Sequence, residues 1–339
     1  MKPLLSVIIT VYNAESLISV CLDSFLRQRD FFSYVEVVIV NDGSTDNSDF
    51  LLRSYIDRLS SRYSIRYVSQ NNGGIGVARD RGLSLVTGEF VSFVDIDDYV
   101  SDDYVSTICD FLIKNPCVDI VELCAFSFFD NKEIKNVLHK SREGYHGVVD
   151  LQLLESLMRE RYWYAWSKVV RKILFEGVVF GGLRCFEDLM VYPFIYIKAR
   201  FVFSLERPVY YYRYRADSLS NSVSSEQVML LVSEIKSKAL SVGRCDKMCA
   251  DFPLLLALVS ITSSCRSFLF GTLAPLVAYR EYRGLWFHVK KSNKKEVPKI
   301  VLRMFSIKLW PLIIAPALSL LSVFFYKQSF FWKSFRKRL

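Results

Sequence analysis

Over its first hundred residues the chain alternates two apolar patterns. Short runs rich in Val and Ile, at 4–11, 35–40, 65–68 and 90–94, read as strands buried on both faces. Between them apolar residues recur at helical spacing: Leu17, Ile18, Cys21, Leu22, Phe25 and Leu26, then Phe50, Leu51, Tyr55 and Leu59, then a helix ending near Gly88. This alternation predicts an α/β fold, a mainly parallel sheet flanked by helices with right-handed crossovers. Each strand is followed by a polar or glycine-bearing loop: Tyr12-Asn13-Ala14-Glu15, Asn41-Asp42-Gly43-Ser44, Asn71-Asn72-Gly73-Gly74 and Asp95-Ile96-Asp97-Asp98. Ligands of open α/β sheets bind beyond the carboxyl ends of the strands, so the four loops are expected to meet at one pocket.

Past residue 115 the pattern loses regularity, with a polar turn around 131–135 and helical spacing resuming near Asp150. Glu187-Asp188 follows Gly181-Gly182 and precedes the apolar stretch Leu189 to Ile197, which predicts a helix starting at the acidic pair. From Leu254 the chain is strongly apolar. Residues 309–326 carry no formal charge, but Pro311 and Pro316 interrupt them, and their length is at the short end for a membrane span. The last thirteen residues hold Lys327, Lys333, Arg336, Lys337 and Arg338 and no acid. Basic charge beside apolar sequence, with Trp310, Phe324, Phe325, Tyr326, Phe331 and Trp332 suited to a headgroup belt, predicts a tail lying on an anionic membrane surface. The alternative is a hairpin buried in the core; if the stretch spans, its basic flank stays cytoplasmic. The expected organisation is a main domain over 1–215, a mainly helical apolar extension over 216–300 and a membrane-associated tail over 301–339.

A net charge of +9 suits nucleic acid, anionic lipid or a phosphorylated ligand equally, so the position of the charges decides. Basic residues adjoin an apolar segment rather than alternating with aromatics on a folded face, which favours lipid and excludes nucleic acid. The eight cysteines form no CxxC pair and the three histidines are scattered, which rules out a zinc site and implies buried thiols in a reducing compartment. The N-terminal apolar run resembles a secretory segment, but Asn13 and Glu15 follow it with no small-residue cleavage site, so it reads as a buried first strand. Together these features place the protein on the cytoplasmic face of the cell membrane.

Three carboxylates within four positions, Asp95, Asp97 and Asp98, repel one another at the end of a buried strand unless a divalent cation compensates them. The competing role is a set of solvated turn acids or a helix cap before Tyr104. Asp42 either caps the next helix with its neighbours Ser44 and Asp46, or accepts a hydrogen bond from the imide nitrogen of a uracil or thymine ring. Gly73 and Gly74 permit close backbone approach, and Arg79 and Arg81 offer donors suited to a diphosphate, or else are surface charges on a helix. Glu187 and Asp188 fit a helix N-terminus on dipole grounds; facing a metal site, one of them can act as general base on a hydroxyl.

The segments Ser6 to Glu15, Val38 to Asp46, Asn71-Asn72-Gly73-Gly74 through Ala78-Arg79, Gly88-Glu89-Phe90 and Phe93 to Tyr99 resemble, in order and spacing, the family-2 glycosyltransferases of GT-A fold. The strong match covers 4 to about 105; a weaker one runs through Trp166, Lys168 and Glu187-Asp188 to about 215. The resemblance implies a nucleotide-binding half over about 1–105 and an acceptor half over about 106–215. It implies that Thr10, Tyr12, Glu15 and Asp42 hold the nucleoside, with Asp42 on the base, and that Asn72, Gly74 and Arg79 lie near the ribose and diphosphate. Asp95 and Asp97 would form the DxD pair, Asp97 foremost as the ligand of Mg²⁺ or Mn²⁺. Asp188 would be the catalytic base, with Glu187, Trp166 and Lys168 toward the acceptor. Many relatives carry Pro at the place of Val11 and Ser or Ala at the place of Ile96; the bulk of Ile96 would reshape the sugar pocket.

The activity so implied is a metal-dependent, inverting hexosyl or N-acetylhexosaminyl transfer from a nucleotide diphosphate sugar, UDP-linked, to a hydroxyl of a glycan or lipid-linked acceptor, in building a surface polysaccharide or glycoconjugate. Two rivals remain: a nucleotidyltransferase, and a nucleotide-sugar-binding or membrane scaffold protein without turnover. The first calls for a glycine-rich, Arg/Lys-bearing loop directly after the first strand, and Tyr12-Asn13-Ala14-Glu15 is not one. Intact carboxylates at 95, 97 and 188 speak against the second.

Overall fold

A computed structural model of the chain describes residues 2–129, 134–139, 146–149, 163–182 and 187–214, with Leu153 and Leu157. The extension over 216–300 and the tail over 301–339 lie outside the described residues. Among the described residues, no helix is long and apolar enough to cross a membrane.

The predicted alternation is present. Strands β1 (Leu5–Val11), β2 (Val35–Asn41), β3 (Ser64–Ser69) and β4 (Phe90–Asp95) alternate with helices α1 (Ile18–Leu26), α2 (Ser48–Leu59) and α3 (Ile75–Leu85). They pair in parallel in the order β3-β2-β1-β4, with Thr10 in register with Val40 on one side and Asp95 on the other. Strands β1, β2 and β4 are buried along nearly their whole length, while the edge strand β3 is half-exposed and alternates. Strands β1, β2 and β4 are thus buried on both faces as expected, whereas β3, expected to be equally buried, is half-exposed because it lies at the sheet edge.

Past β4 the sheet continues with both parallel and antiparallel pairings. After β5 (Tyr99–Val100) and α4 (Tyr104–Lys114) come β6 (Ile120–Phe128), β7 (Ile134–His139), β8 (His146–Val148), β9 (Lys168–Arg171), α5 (Tyr192–Lys198) and the long β10 (Phe201–Arg213). Strand β9 wedges antiparallel between β4 and β6, and β10 runs parallel to β6 while pairing antiparallel with β5 and β8. The sheet is therefore mixed, and the first four strands and the later segment share one hydrogen-bonded surface. Strand β10 is irregular between Ser204 and Tyr210, around Pro208, which lacks a backbone donor.

At the N-terminal edge of the sheet, opposite the polar loops, buried Glu36 locks three segments. It accepts from Ser6 Oγ (2.6 Å), from Thr87 Oγ1 (2.9 Å) and from Gly88 N–H (2.9 Å). Burial alone would raise its pKa, but these donors outweigh burial and hold it below the usual carboxylate range.

Two expectations change. The helix predicted from Glu187 is instead a 3-10 turn, Glu187–Met190, and α5 begins only at Tyr192. Pro193 in the first turn of α5 explains the break: it has no N–H to donate to the carbonyl four residues back, so a helix from Glu187 cannot continue through it, whereas proline is tolerated where a helix starts. Of the four cysteines among the described residues, all free, Cys21, Cys109 and Cys124 are buried as expected, but Cys117 is exposed in the turn after α4.

Candidate active site

The carboxyl ends of β1 and β2 are laced together. Asn13 N–H donates to Ser44 Oγ (3.0 Å) and Thr45 N–H to Asn13 Oδ1 (2.8 Å). Glu15 N–H donates to Asp46 Oδ2 (3.2 Å), while Glu15 Oε2 accepts from Asn47 N–H (3.0 Å) at the entrance to α2. Tyr12 projects from this loop, 51% exposed. Asp42 is buried, and both its oxygens are engaged: Oδ1 accepts from Gln70 Nε2 (2.8 Å) and Gly73 N–H (3.0 Å), Oδ2 from Gly74 N–H (2.8 Å). Asn72 Nδ2 closes the loop on the Asp42 carbonyl (3.1 Å). Gly74 reaches this carboxylate at φ +88°, a backbone geometry that residues with side chains rarely adopt.

Helix α3 starts immediately after Gly74 and carries Arg79 into a second cluster. The buried Arg79 guanidinium donates from Nη1 to Asp188 Oδ1 (2.7 Å) and to Glu187, and from Nη2 to Asp95 Oδ1 (3.0 Å). Phe93 and Phe180 lie 5.6 Å from it on their ring faces. The same helix grips the chain leading to Glu187: Asp80 accepts from Phe180 N–H (2.9 Å) and Gly181 N–H (3.0 Å). A Cβ on Gly76 would come within 2.1 Å of the Gly181 carbonyl, so this approach requires glycine. Residues more than a hundred positions apart thus meet because α3 presents Gly76, Arg79 and Asp80 to one strand-to-helix connection.

One cation shared by three carboxylates leaves the cluster negative. Burial, reinforced by the Asp188 charge and opposed by Arg79, pushes Glu187 up to about 7. Asp188 is also raised, by burial and by Asp95, against the pull of Arg79. For Arg79, burial would favour loss of its proton, but Asp188, Glu187 and Asp95 together raise its pKa, so it stays charged. The second oxygen of Asp188, Oδ2, accepts from Ala165 N–H (3.1 Å), which fixes the carboxylate at both ends.

The Asp95–Asp98 turn divides its acids. Asp98 turns inward, accepting from Tyr210 Oη (2.7 Å) and from Arg213 N–H (2.7 Å), and burial plus the neighbouring Asp97 and Asp95 raise its pKa. Arg213 Nε braces the turn through the Asp97 carbonyl (2.6 Å), and Asp95 N–H donates to Tyr210 Oη (3.1 Å). Ile96 packs toward the hydrophobic core. Among the described residues no group of three or more His, Cys, Asp or Glu side chains forms a ready-made metal cage. Asp95 and Asp97 nonetheless fit Mg²⁺ or Mn²⁺, hard cations that take one or two protein carboxylates and complete their shell with water and phosphate oxygens.

Trp166 and Lys168, expected on the acceptor side, are 2% and 1% exposed and lie beneath the surface. Lys168 Nζ donates to the Tyr164 carbonyl (3.1 Å) and to Ser167 Oγ (2.8 Å), and burial lowers its pKa to about 8. Tyr210, Arg213 and the Ala165 N–H escape sequence reasoning. The run Tyr210-Tyr211-Tyr212-Arg213 is visible, but only the pairing of β10 with β5 and β6 brings it under the Asp95 turn.

Residues 6–166 match the profile of glycosyl transferase family 2. The chain carries a family 2 glycosyltransferase domain. The uncharacterized glycosyltransferase EpsJ of Bacillus subtilis is 31% identical over 227 residues, 65% of this chain and 64% of that protein. Glycosyltransferase GlyA of Streptococcus pneumoniae is 30% identical over 242 residues, 69% of this chain but 34% of its own length. The chain therefore spans from a third to just under two thirds of these relatives. In fold, the S. aureus TarS 1–349 structure in complex with UDP-GlcNAc superposes with a TM-score of 0.71 at 22% identity, covering 95% of this chain and 89% of TarS 1–349. The mixed sheet flanked by helices is thus the GT-A fold, and Asp95 and Arg79, within the matched residues, form one ionic cluster with the Glu187-Asp188 pair, which lies beyond them.

Proposed function

We propose that the protein transfers a sugar from a UDP-linked donor to an acceptor hydroxyl with inversion, Asp188 acting as general base. The observation that carries this is the ionic cluster itself: a carboxylate fixed at both oxygens, raised in pKa, and joined through Arg79 to Asp95 at the end of β4. A raised pKa suits a base that must take a proton near neutral pH. The UDP-GlcNAc complex of TarS supports a UDP-sugar as donor.

In this scheme Tyr12 and Asp42 border the nucleoside, and the Gly73-Gly74 loop at the start of α3 offers backbone close to the phosphates. Mg²⁺ or Mn²⁺, held by Asp97 with Asp95, would offset the charge gathering on the leaving diphosphate. Asp188 accepts the hydroxyl proton as the acceptor oxygen attacks the anomeric carbon from the face opposite the diphosphate. One displacement inverts that carbon, so an α-linked donor gives a β-linked product. Arg79 holds Asp188 ionised and aimed until the acceptor arrives. A lipid-linked glycan as acceptor accords with the basic C-terminal sequence.

Calorimetric titration of the full chain with UDP in Mn²⁺ tests the donor site. Binding that disappears in Asp97→Ala and on omission of metal is expected; failure of UDP, GDP and dTDP alike to bind would sink the proposal.

A further inference from the structure

The buried ammonium of Lys168, at the start of β9, has no task in the scheme above. Its Nζ donates to the Tyr164 carbonyl (3.1 Å) and to Ser167 Oγ (2.8 Å), and lies 5.0 Å from the centre of the Tyr192 ring on α5. Two acids act on it, Glu122 from β6 and Asp188 from the turn before α5; both favour the protonated form, although burial outweighs them. Glu122 takes hydrogen bonds from Tyr196 Oη (2.6 Å) and Ser204 Oγ (2.8 Å). Burying an ammonium is far more costly than burying an apolar side chain of the same length, so packing alone does not account for a lysine here.

The group that the ammonium touches does account for it. The Tyr164 carbonyl and the Ala165 N–H are the two ends of one planar peptide group. Lys168 donates to its oxygen, and its N–H donates to Asp188 Oδ2 (3.1 Å). A cation and a carboxylate are therefore joined through a single amide. Hydrogen bonds in such a chain polarise one another, so an amide whose oxygen is held by an ammonium is the stronger donor at its nitrogen. Ser167 N–H (3.3 Å) and Ser167 Oγ (2.8 Å) donate to the same oxygen and fix the plane of the turn. The charge of Lys168 is also felt at Asp188, whose pKa it lowers.

Resting on the reading of Asp188 as general base, we propose that Lys168 is a positioning residue: acting through the Tyr164–Ala165 peptide group, it aims Asp188 and holds it ionised by way of the oxygen that Arg79 does not take. The lysine expected toward the acceptor thus serves the base instead.

The chain contains one Tyr-Ala step, residues 164–165. Labelling tyrosine carbonyls with ¹³C and alanine nitrogens with ¹⁵N therefore selects this peptide group alone in NMR spectra of the detergent-solubilised full chain. In the parent the Ala165 amide proton should lie downfield and move upfield as Asp188 is protonated. The Tyr164 carbonyl carbon should move upfield as Lys168 loses its proton near pH 8. Lys168→Met, similar in length and uncharged, should abolish the step near pH 8 and raise the midpoint of the acid step by about one pH unit. Arg79, Asp95 and Glu187, which also face Asp188, are the same in both proteins. A residue that only filled space would leave the midpoint in place.

An unmoved midpoint in Lys168→Met, or a parent carbonyl that passes pH 8 unchanged, would overturn the proposal. The second readout needs no variant and decides the matter if Lys168→Met does not fold. Calorimetry with UDP and Mn²⁺ should show equal affinity for the two proteins; a loss confined to Lys168→Met would mean a disturbed fold and would also overturn the positioning role. Failure of the parent to bind UDP counts against the transferase reading alone, because the shifts at Tyr164 and Ala165 report the link from Lys168 to Asp188 without donor or turnover.

Discussion

Around Asp42, the charged oxygens meet two backbone N–H groups and one neutral amide, all from the chain between Gln70 and Gly74. Around Arg79, by contrast, three carboxylates from β4 and the 187–188 turn share one guanidinium. Both clusters are served by α3, the first just before its N-terminus and the second one turn into it. The first is a locally satisfied loop that holds its shape with or without charge nearby. The second gathers three carboxylates around one guanidinium and raises the pKa of Glu187 and Asp188; in the proposed function it also supplies the base. Substitutions on the two sides should therefore differ in kind, with changes in turnover and pH response at the second and changes in affinity at the first.

The largest effect is expected from Asp188→Asn. The amide keeps the shape and can still accept from Ala165, but it cannot take a proton, so kcat should fall by about 10²–10⁴, while calorimetric UDP affinity stays near that of the parent. Retained turnover would move the base elsewhere and dissolve the functional contrast between the clusters.

Arg79→Gln comes next. Removing one partner of a buried ionic group costs about 3–5 kcal/mol, and the loss should be greatest at pH 8, where the acids are ionised, and least at pH 5, where they can protonate. Because Arg79 lowers the pKa of Asp188, its removal raises that pKa further, and the acid limb of the kcat/KM profile should move to higher pH. Thermal melts and a pH–rate profile read the two consequences separately.

Glu187 offers a smaller, signed effect. Its folded pKa of about 7 exceeds the carboxylate's value of 4.5, so its contribution to stability is complete below about 4.5 and is lost as pH rises to 7. Glu187→Gln should remove this slope: between pH 5 and pH 8 the parent's Tm should fall relative to that of the variant. Parallel curves would mean that Arg79 compensates Glu187 in full.

The contrast also explains what could be read from the chain. Strands β1, β2 and β4 were legible because each is a buried apolar run ended by a polar loop, and Asp42, Asp95 and Asp97 sit at those ends where pattern alone places them. Local signals cannot pair Arg79 with Glu187, which lies 108 positions away, or Asp98 with Tyr210, since no periodicity encodes a contact made by sheet topology. Gly76 looks like any helix glycine until the Gly181 carbonyl is set against it. Burial of Lys168 and Trp166 was hidden for the same reason: β9 is wedged between β4 and β6, and nothing within the strand announces its neighbours.

Asp42→Asn should have the smallest effect and decides how independent the donor-side loop is. The asparagine retains one acceptor oxygen and brings an NH₂ group against at least one of the Gly73, Gly74 and Gln70 donors. A net hydrogen bond is worth about 0.5–1.5 kcal/mol, and water at the loop can replace part of what is lost. A stability loss of about 1 kcal/mol is expected, with UDP affinity lowered about tenfold and kcat at saturating donor unchanged. Stability and affinity report different roles. A variant that melts earlier yet binds UDP like the parent would make Asp42 a brace for the Gly73-Gly74 loop, its carboxylate spent within the chain. A variant that melts like the parent but binds UDP weakly would mean that the carboxylate leaves its loop partners for the base, and that the donor side also reorganises on binding.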